Sequence, residues 1–293
     1  MNFLTYNENK EGSDMMSYQI PITICSWTLG DKCSFEERVK ATKDAGYEGI
    51  GLRTENYVDA LSEGLTDQDI LAILDKYQMR VTEVEYIVQW AEENRSYEQK
   101  YKEQLCFHMC RLFNVEHINC GLMENYDIAY TAQKLKELCQ RAGDLIIGVE
   151  PMPYSGLPTF EKAFKVVEES KAKNAMLILD TWHWVRANQD YHPLTKEEAQ
   201  KVISIQINDA YERPYAKAIL RDESMHDRLA PGTGAKDTAR FVKMIKEAGI
   251  IPKVIGVEVI NDAHLEKGLN HMTDYTYQAT EKVLKEAWPE LLS

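Results

Sequence analysis

Short runs of aliphatic and β-branched residues alternate along the chain with longer stretches whose apolar positions recur every three or four residues. The short runs are Ile22–Ser26, Ile50–Arg53, Val81–Glu85, His117–Cys120, Leu145–Glu150, Met176–Asp180, Ile203–Asn208 and Val254–Ile260. Most are continuously apolar, the pattern of strands covered on both faces. Most recur at intervals of about 30 residues, the length of a strand-plus-helix unit. The stretches between them carry helix signals. Ser34-Phe-Glu-Glu37 and Thr66-Asp-Gln-Asp69 predict capping boxes. Phe160, Ala163, Phe164 and Val167 form one helical stripe, and Phe241, Met244, Ile245 and Ala248 another. Gly46, Gly143 and Gly249 follow helix ends, where a left-handed cap favours glycine.

Strands interleaved with helices in this way predict an α/β fold, a single (β/α)8 TIM barrel over 19–293 behind a polar N-terminal extension over 1–18. The alternative is an open doubly wound sheet. Its Gly-rich phosphate turn is missing, because the first strand runs into Trp27-Thr28-Leu29-Gly30. Two strand-to-helix connections are long, roughly Tyr86–Tyr97 and Ala210–Asp237, and the second reads as the longest irregular piece. Long loops at this end of a barrel are where function sits.

Composition narrows the picture. A net charge of −13 argues against nucleic acid and anionic membranes as partners. The six cysteines form no CxxC pair and read as buried free thiols in a reducing cytosol, with Cys106 and Cys110 on one helix face. The first residues lack the charged-then-apolar pattern of a signal peptide, and no apolar run approaches the ~18 residues of a membrane span. A soluble, cytoplasmic protein is expected.

Polar residues at the C-terminal ends of barrel strands point into the mouth. The fifth strand ends in Glu150, the sixth in Asp180, the seventh carries Gln206 and Asn208, and the eighth carries Glu258. Burying a lone carboxylate costs several kcal/mol unless a cation or strong hydrogen bonds compensate. Lys and Arg are absent from these four strand ends. A bound divalent metal is the simplest compensation, and the hard oxygen donors Glu150, Asp180, Gln206 and Glu258 suit Mn2+ or Mg2+, with Co2+ a third option. Gln206 is the weakest member, since a buried amide is often satisfied by backbone. His183, three residues after Asp180, is placed beside the metal and within reach of substrate. Glu85 and Asn119 are candidates to line the mouth, and Trp27 to form an apolar wall there. His108, His117, His192, His264 and His271 lack such a context and are read as structural.

Glu150, "DTWH" at 180–183, "QINDA" at 206–210, "RLAPGTGAKD" at 228–237 and "GVEV" at 256–259 together resemble the xylose-isomerase-like TIM-barrel superfamily. That group holds sugar isomerases, epimerases and inosose dehydratases. The resemblance runs from about Ile22 to Ile260 and implies one divalent metal held by Glu150, Asp180, Gln206 and Glu258. Gln206 departs from the family's commoner His, and Gly51 from an acid found in many relatives. Arg228, in the segment resembling the family's Arg-x-x-Pro-Gly-x-Gly loop, is expected to reach back to substrate oxygens or to a ligand carboxylate.

The implied activity is a sugar isomerase or epimerase working through an enediolate. Of Glu150 and Glu258, one takes the proton and the other returns it. The alternatives are a lyase, namely an inosose or keto-acid dehydratase or a 3-keto-glycoside C-deglycosidase with a small partner subunit, and a non-catalytic sugar-binding barrel. Endonuclease IV shares the barrel, but a DNA-repair reading needs a basic face and many His ligands, against the net charge of −13 and the lack of His at the ends of strands five to eight. The expected partner is a small, mildly favoured neutral carbohydrate, with homo-oligomers common in the group.

Overall fold

The computed structural model describes residues 20–188, 191 and 193–292. The polar segment 1–18 and His192 lie outside them. Eight parallel strands close on themselves in chain order: β1 (Ile22–Ile24), β2 (Gly49–Arg53), β3 (Arg80–Ile87), β4 (His117–Cys120), β5 (Ile146–Val149), β6 (Ala175–Asp180), β7 (Val202–Ile207) and β8 (Ile255–Val257). Closure comes from β1, which pairs with both β2 and β8. The fold is therefore a (β/α)8 barrel, and the doubly wound alternative falls away.

The helices start and stop where local chemistry dictates. Ser34 and Glu37 cap each other at the head of Phe35–Ala45, and Thr66 and Asp69 do the same for Asp67–Lys76. Gly46 closes the first of these helices at φ 106°, a backbone that a side chain would strain. Phe160, Ala163 and Val167 of helix Phe160–Ser170 are buried, as are Phe241, Met244 and Ile245 of helix Thr238–Glu247. These stripes pack with the outward faces of the strands into one continuous apolar layer. Of the cysteines, all but the half-buried Cys33 are buried, and none is paired. Among the described residues no helix is long and apolar enough to cross a membrane.

The β8 expectation, Val254–Ile260, overran the observed strand, which ends at Val257. The physical reason is Thr28. Its hydroxyl donates to Val257 O at 3.0 Å and accepts from Val259 N–H at 2.9 Å. The side chain takes the place of a ladder bond and brackets Glu258 between its two contacts. The long connection after β7 is also more ordered than expected. It holds a 3-10 turn, Lys217–Ile219, and a helix, Leu220–His226. Only Leu220, Glu223 and Ser224 of that helix are buried, so its inner stripe is mostly polar and carries no hydrophobic period. What anchors it is Arg186, whose guanidinium grips the buried Glu223 carboxylate and also donates to Tyr211 O at 2.8 Å.

A second buried ion group fixes the connection between β3 and helix Tyr97–Phe113. Glu103, 2% exposed, forms an ion pair with Arg95 Nη2 at 2.9 Å and accepts from Arg141 Nε and Nη2 at 2.8 and 2.9 Å. Removing one member of such a group leaves charge buried without compensation. Glu103→Ala should therefore destabilise the fold by about 3–5 kcal/mol in denaturant unfolding, whereas Glu103→Gln should cost less.

His117 is fully buried at the start of β4, its Nε2 without a hydrogen-bond partner, and burial lowers its affinity for a proton below the ordinary value of 6.5. The unfolded chain then binds this proton more readily than the folded one. The stability contribution is present above pH 6.5 and is lost as pH falls through 6.5 toward the depressed value. Melting temperature should drop between pH 7.5 and pH 5.5, and the drop should be shallower in His117→Gln.

Candidate functional site

The strands deliver their polar ends to one floor. Glu150 follows β5, Asp180 ends β6, and Glu258 follows β8. One carboxylate oxygen from each lies within 4.8 Å of the other two. All three residues are at most 7% exposed. Like charges this close, and this dry, need a cation.

Arg228 supplies part of it. The guanidinium reaches in from the loop after β7, and Nη1 donates to Asp180 Oδ2 at 3.1 Å and to Glu258 Oε2 at 2.8 Å. Part of the compensation thus comes from an arginine arriving from outside the four strand ends, in contact with two of the acids. The arginine is itself fastened: Nε donates to Ser224 O, and Nη2 to Ser224 Oγ, both at 2.8 Å. Asn261 Nδ2 donates to the backbone carbonyl of Arg228 at 3.0 Å.

The carboxylates are not equivalent. Burial pushes Glu258 up to about 8, against the pull of Arg228. For Glu150 burial also acts upward, but His183, the Tyr86 hydroxyl and Arg228 outweigh it and hold the group below the usual carboxylate range. Tyr86 Oη donates to Glu150 Oε2 at 2.8 Å, while Glu150 Oε1 has only the His183 ring beside it. Asp180 is consumed structurally on one side, where Oδ1 caps the next helix by accepting His183 N–H at 2.8 Å. Its Oδ2 also accepts from Asn208 Nδ2 at 2.7 Å.

His183 Nε2 is 3.3 Å from Glu150 Oε1 and 3.3 Å from Arg228 Nη2. A neutral ring cannot accept from Arg228 and donate to Glu150 through the same nitrogen, so its tautomer selects one of the two. Its Nδ1 has no partner.

Above this floor opens a cavity of about 420 Å3, within the range for a small-molecule site. Glu150, Glu258, His183 and Arg228 form its base, and Trp27, Tyr86, Tyr154, Met123, Met152 and Met225 are among its walls. Arg53 also lines it, its guanidinium 4.5 Å from the Trp27 ring centre and 5.6 Å from that of Tyr86.

Glu150, Asp180, Glu258, His183 and Arg228 are brought together as the sequence reading placed them, and Trp27 stands on the cavity wall. Glu85 and Asn119 do not line the mouth. They are 1% and 0% exposed in the barrel interior, where Asn119 Nδ2 donates to Glu85 Oε1 at 3.2 Å. Gln206 also faces inward, its Nε2 3.3 Å from Glu85 Oε1. Gln206 pairs in register with Asp180 on β6 and with Gly256 on β8, two residues before Glu258. Tyr86 and Tyr154 were not foreseen. The only signal for Tyr86 was its place directly after Glu85 at a strand end.

A divalent ion fits this donor set. The three carboxylates are hard ligands, one Glu150 oxygen has only the His183 ring beside it, and burial pushes Glu258 up to about 8 despite the arginine, so the site still lacks positive charge.

The family described as xylose isomerase-like TIM barrel matches residues 39–279. A 3-dehydroshikimate dehydratase of Pseudomonas aeruginosa is 29% identical over 137 residues, which is 46% of this chain but only 21% of that protein's length. An inosose isomerase of Bacillus velezensis is 21% identical over 274 residues, covering 88% of this chain and 94% of that one. Among solved structures, the IolI protein with a bound zinc atom superposes with a TM-score of 0.78 at 17% identity, over 92% of this chain and 99% of the other. The closed barrel, the acids at its C-terminal rim and the matched span agree, and the chain belongs to the xylose isomerase-like TIM barrel family.

Proposed function

We propose that this protein is a divalent-metal-dependent isomerase or epimerase of a small keto-sugar or keto-polyol. The observation that carries the reading is the convergence of Glu150, Asp180 and Glu258 at the base of a cavity that also presents His183 and Arg228. Glu150, Asp180 and Glu258 would hold the ion, which suits Mn2+ or Mg2+ by donor type. When bound, it would polarise a carbonyl and a neighbouring hydroxyl and so acidify the C–H between them.

The chain's own residues divide the remaining work. Glu150, kept ionised by its hydrogen-bonding neighbours, is the base that takes the C–H proton. Glu258, on the other side of the floor, returns a proton to the enediolate. Arg228 and His183 bind the substrate oxygens that become more negative along the way. Tyr86 fixes the Glu150 carboxylate through one oxygen and leaves the other for chemistry. Trp27 and Tyr154 exclude water from the cavity walls.

A lyase is the second reading. The similarity to a protein named 3-dehydroshikimate dehydratase favours it, as does His183 at the cavity base, a side chain of the type that protonates a departing hydroxyl. Elimination needs a β-hydroxyl in the substrate, so the substrate decides between the outcomes.

The test is metal content by elemental analysis together with C–H exchange in D2O on a panel of ketoses and inososes. About one Mn or similar ion per chain, lost in Glu258→Gln along with about 10²–10⁴ of the exchange rate, is the expected result. Absence of metal after soaking in Mn2+, with no exchange on any substrate, would leave a binding barrel instead.

Gly121 offers a check on the Tyr86 contact. A Cβ placed there would stand 2.2 Å from the Tyr86 hydroxyl and 2.7 Å from the Met152 methyl. Gly121→Ala should displace Tyr86 and lower kcat several-fold while leaving metal content unchanged. Tyr86→Phe should reproduce the loss.

A further inference from the structure

The buried arginines of this barrel have acceptors for their N–H groups. Arg38 donates from Nη1 to Ser26 O at 3.2 Å and from Nη2 to Gly30 O at 2.6 Å. Arg186 holds Glu223 and Tyr211 O, and Arg228 holds two carboxylates and Ser224. Arg53, the last residue of β2, departs from this pattern. Its side chain is only 15% exposed, yet its Nε is buried without an acceptor. The carboxylate that pairs with it, Glu55, stands 3.6 Å away, beyond hydrogen-bond reach. Glu55 is itself taken up by Lys102 Nζ and by the Thr54 hydroxyl. Among the described residues nothing accepts a hydrogen bond from this guanidinium, a planar fork of five N–H donors.

The group is nonetheless held in place. It lies over the Trp27 and Tyr86 rings, whose faces attract a cation but leave its N–H groups without in-plane acceptors. Asn56 Oδ1 accepts from Arg53 N–H at 3.0 Å and also from the Ser26 hydroxyl, so one carboxamide ties the end of β2 to the segment that carries Trp27. In the closed ring β2 stands opposite β6, so Arg53 and the acids of β5, β6 and β8 border the mouth from different sides. Arg53, Glu150 and Glu258 line the same cavity.

A positioned guanidinium with unused donors on a cavity wall is the complement of an oxyanion. The two oxygens of a carboxylate match two N–H groups of one fork in a plane. A phosphate monoester would bring up to twice the charge to a cavity that already holds Glu124, Glu150 and Glu258. Arg221 also lines the cavity, but it is exposed and its charge is screened by solvent.

We propose that Arg53 determines substrate class by binding a carboxylate, and that the substrate is a keto-polyol with an acid group at the end remote from its reacting carbons. The acid sits against β2 while the reacting carbons lie over the floor of Glu150 and Glu258, a placement that rests on the enediolate reading.

Ligands that differ only at C6 of one ketose test this on the full-length chain. They are D-fructuronate, D-fructose and D-fructose 6-phosphate, with the same three forms of D-tagatose as a second series, each titrated by calorimetry. The expected result is that in at least one series the carboxylate binds about 10–100-fold tighter than the neutral ketose, the range of a charge-assisted pair, and also tighter than the phosphate. Arg53→Gln should abolish that preference. Arg53→Lys, which keeps the charge and loses the fork, should lose most of it. Both variants should melt close to wild type, because the guanidinium gives up no hydrogen bond to the protein; a structural role would lower both melting temperatures. The proposal is overturned if the carboxylate binds no tighter than the neutral ketose in either series, if the phosphate binds tightest, or if the preference survives in Arg53→Gln. An Arg53-dependent preference without C–H exchange in D2O on either acid would sink the enediolate reading and leave this site standing.

Discussion

Three carboxylates, one oxygen of each within 4.8 Å of the other two and nearly all their surface withdrawn from water, are an electrostatic constraint that the surrounding structure is built to satisfy. Arg228 is the protein's own partial answer, and much of the loop after β7 exists to deliver it. Asp209 and Leu229 pair as an isolated antiparallel bridge, Asp227 and Asn261 as another, so the arginine sits between two backbone clamps. Ser224 holds the guanidinium from the short helix, and Glu223 of that helix is in turn locked by Arg186. A loop that would otherwise pay a large ordering entropy is thereby fixed by charge and hydrogen bonding rather than by apolar area.

The other half of the constraint is placement of the acids. Glu258 stands just past the end of its strand, its N–H still donating to Ile207 O on β7 at 3.3 Å. Thr28 adds to that control by bonding to the residues on both sides of it. Asp180 is positioned because it doubles as a helix cap, and Glu150 because Tyr86 grips one oxygen. Each carboxylate thus surrenders part of its bonding capacity to be held still, which is what preorganisation of a reactive group requires.

Most of the scaffold was legible in the sequence, because strands buried on both faces and helices with capping boxes leave local signatures. Ser34–Glu37 and Thr66–Asp69 formed as read, and the closed order of strands followed from their spacing. The rim acids were legible for a different reason: a carboxylate at the end of an apolar run has few structural explanations. What could not be read was depth. Glu85, Asn119 and Gln206 sit on strands that the sequence located, yet whether a side chain faces the mouth or the interior depends on the stagger between neighbours. The register shifts within β2–β3, β3–β4 and β6–β7 are not written in any local pattern. Helix Leu220–His226 escaped for a related reason, since an ion pair with Arg186, distant in sequence, holds it in place.

The cavity joins a rigid base to a soft wall. Its base is fixed by charge pairs, while Met123, Met152 and Met225 contribute unbranched thioether side chains that repack at little cost. Such a division lets the accepted shape of a ligand drift through changes in the wall while the proton-handling groups stay put. It also carries a vulnerability, because oxidation of a wall methionine replaces a pliant apolar surface with a stiff polar one. Evolvability and oxidative fragility are here two consequences of the same three side chains.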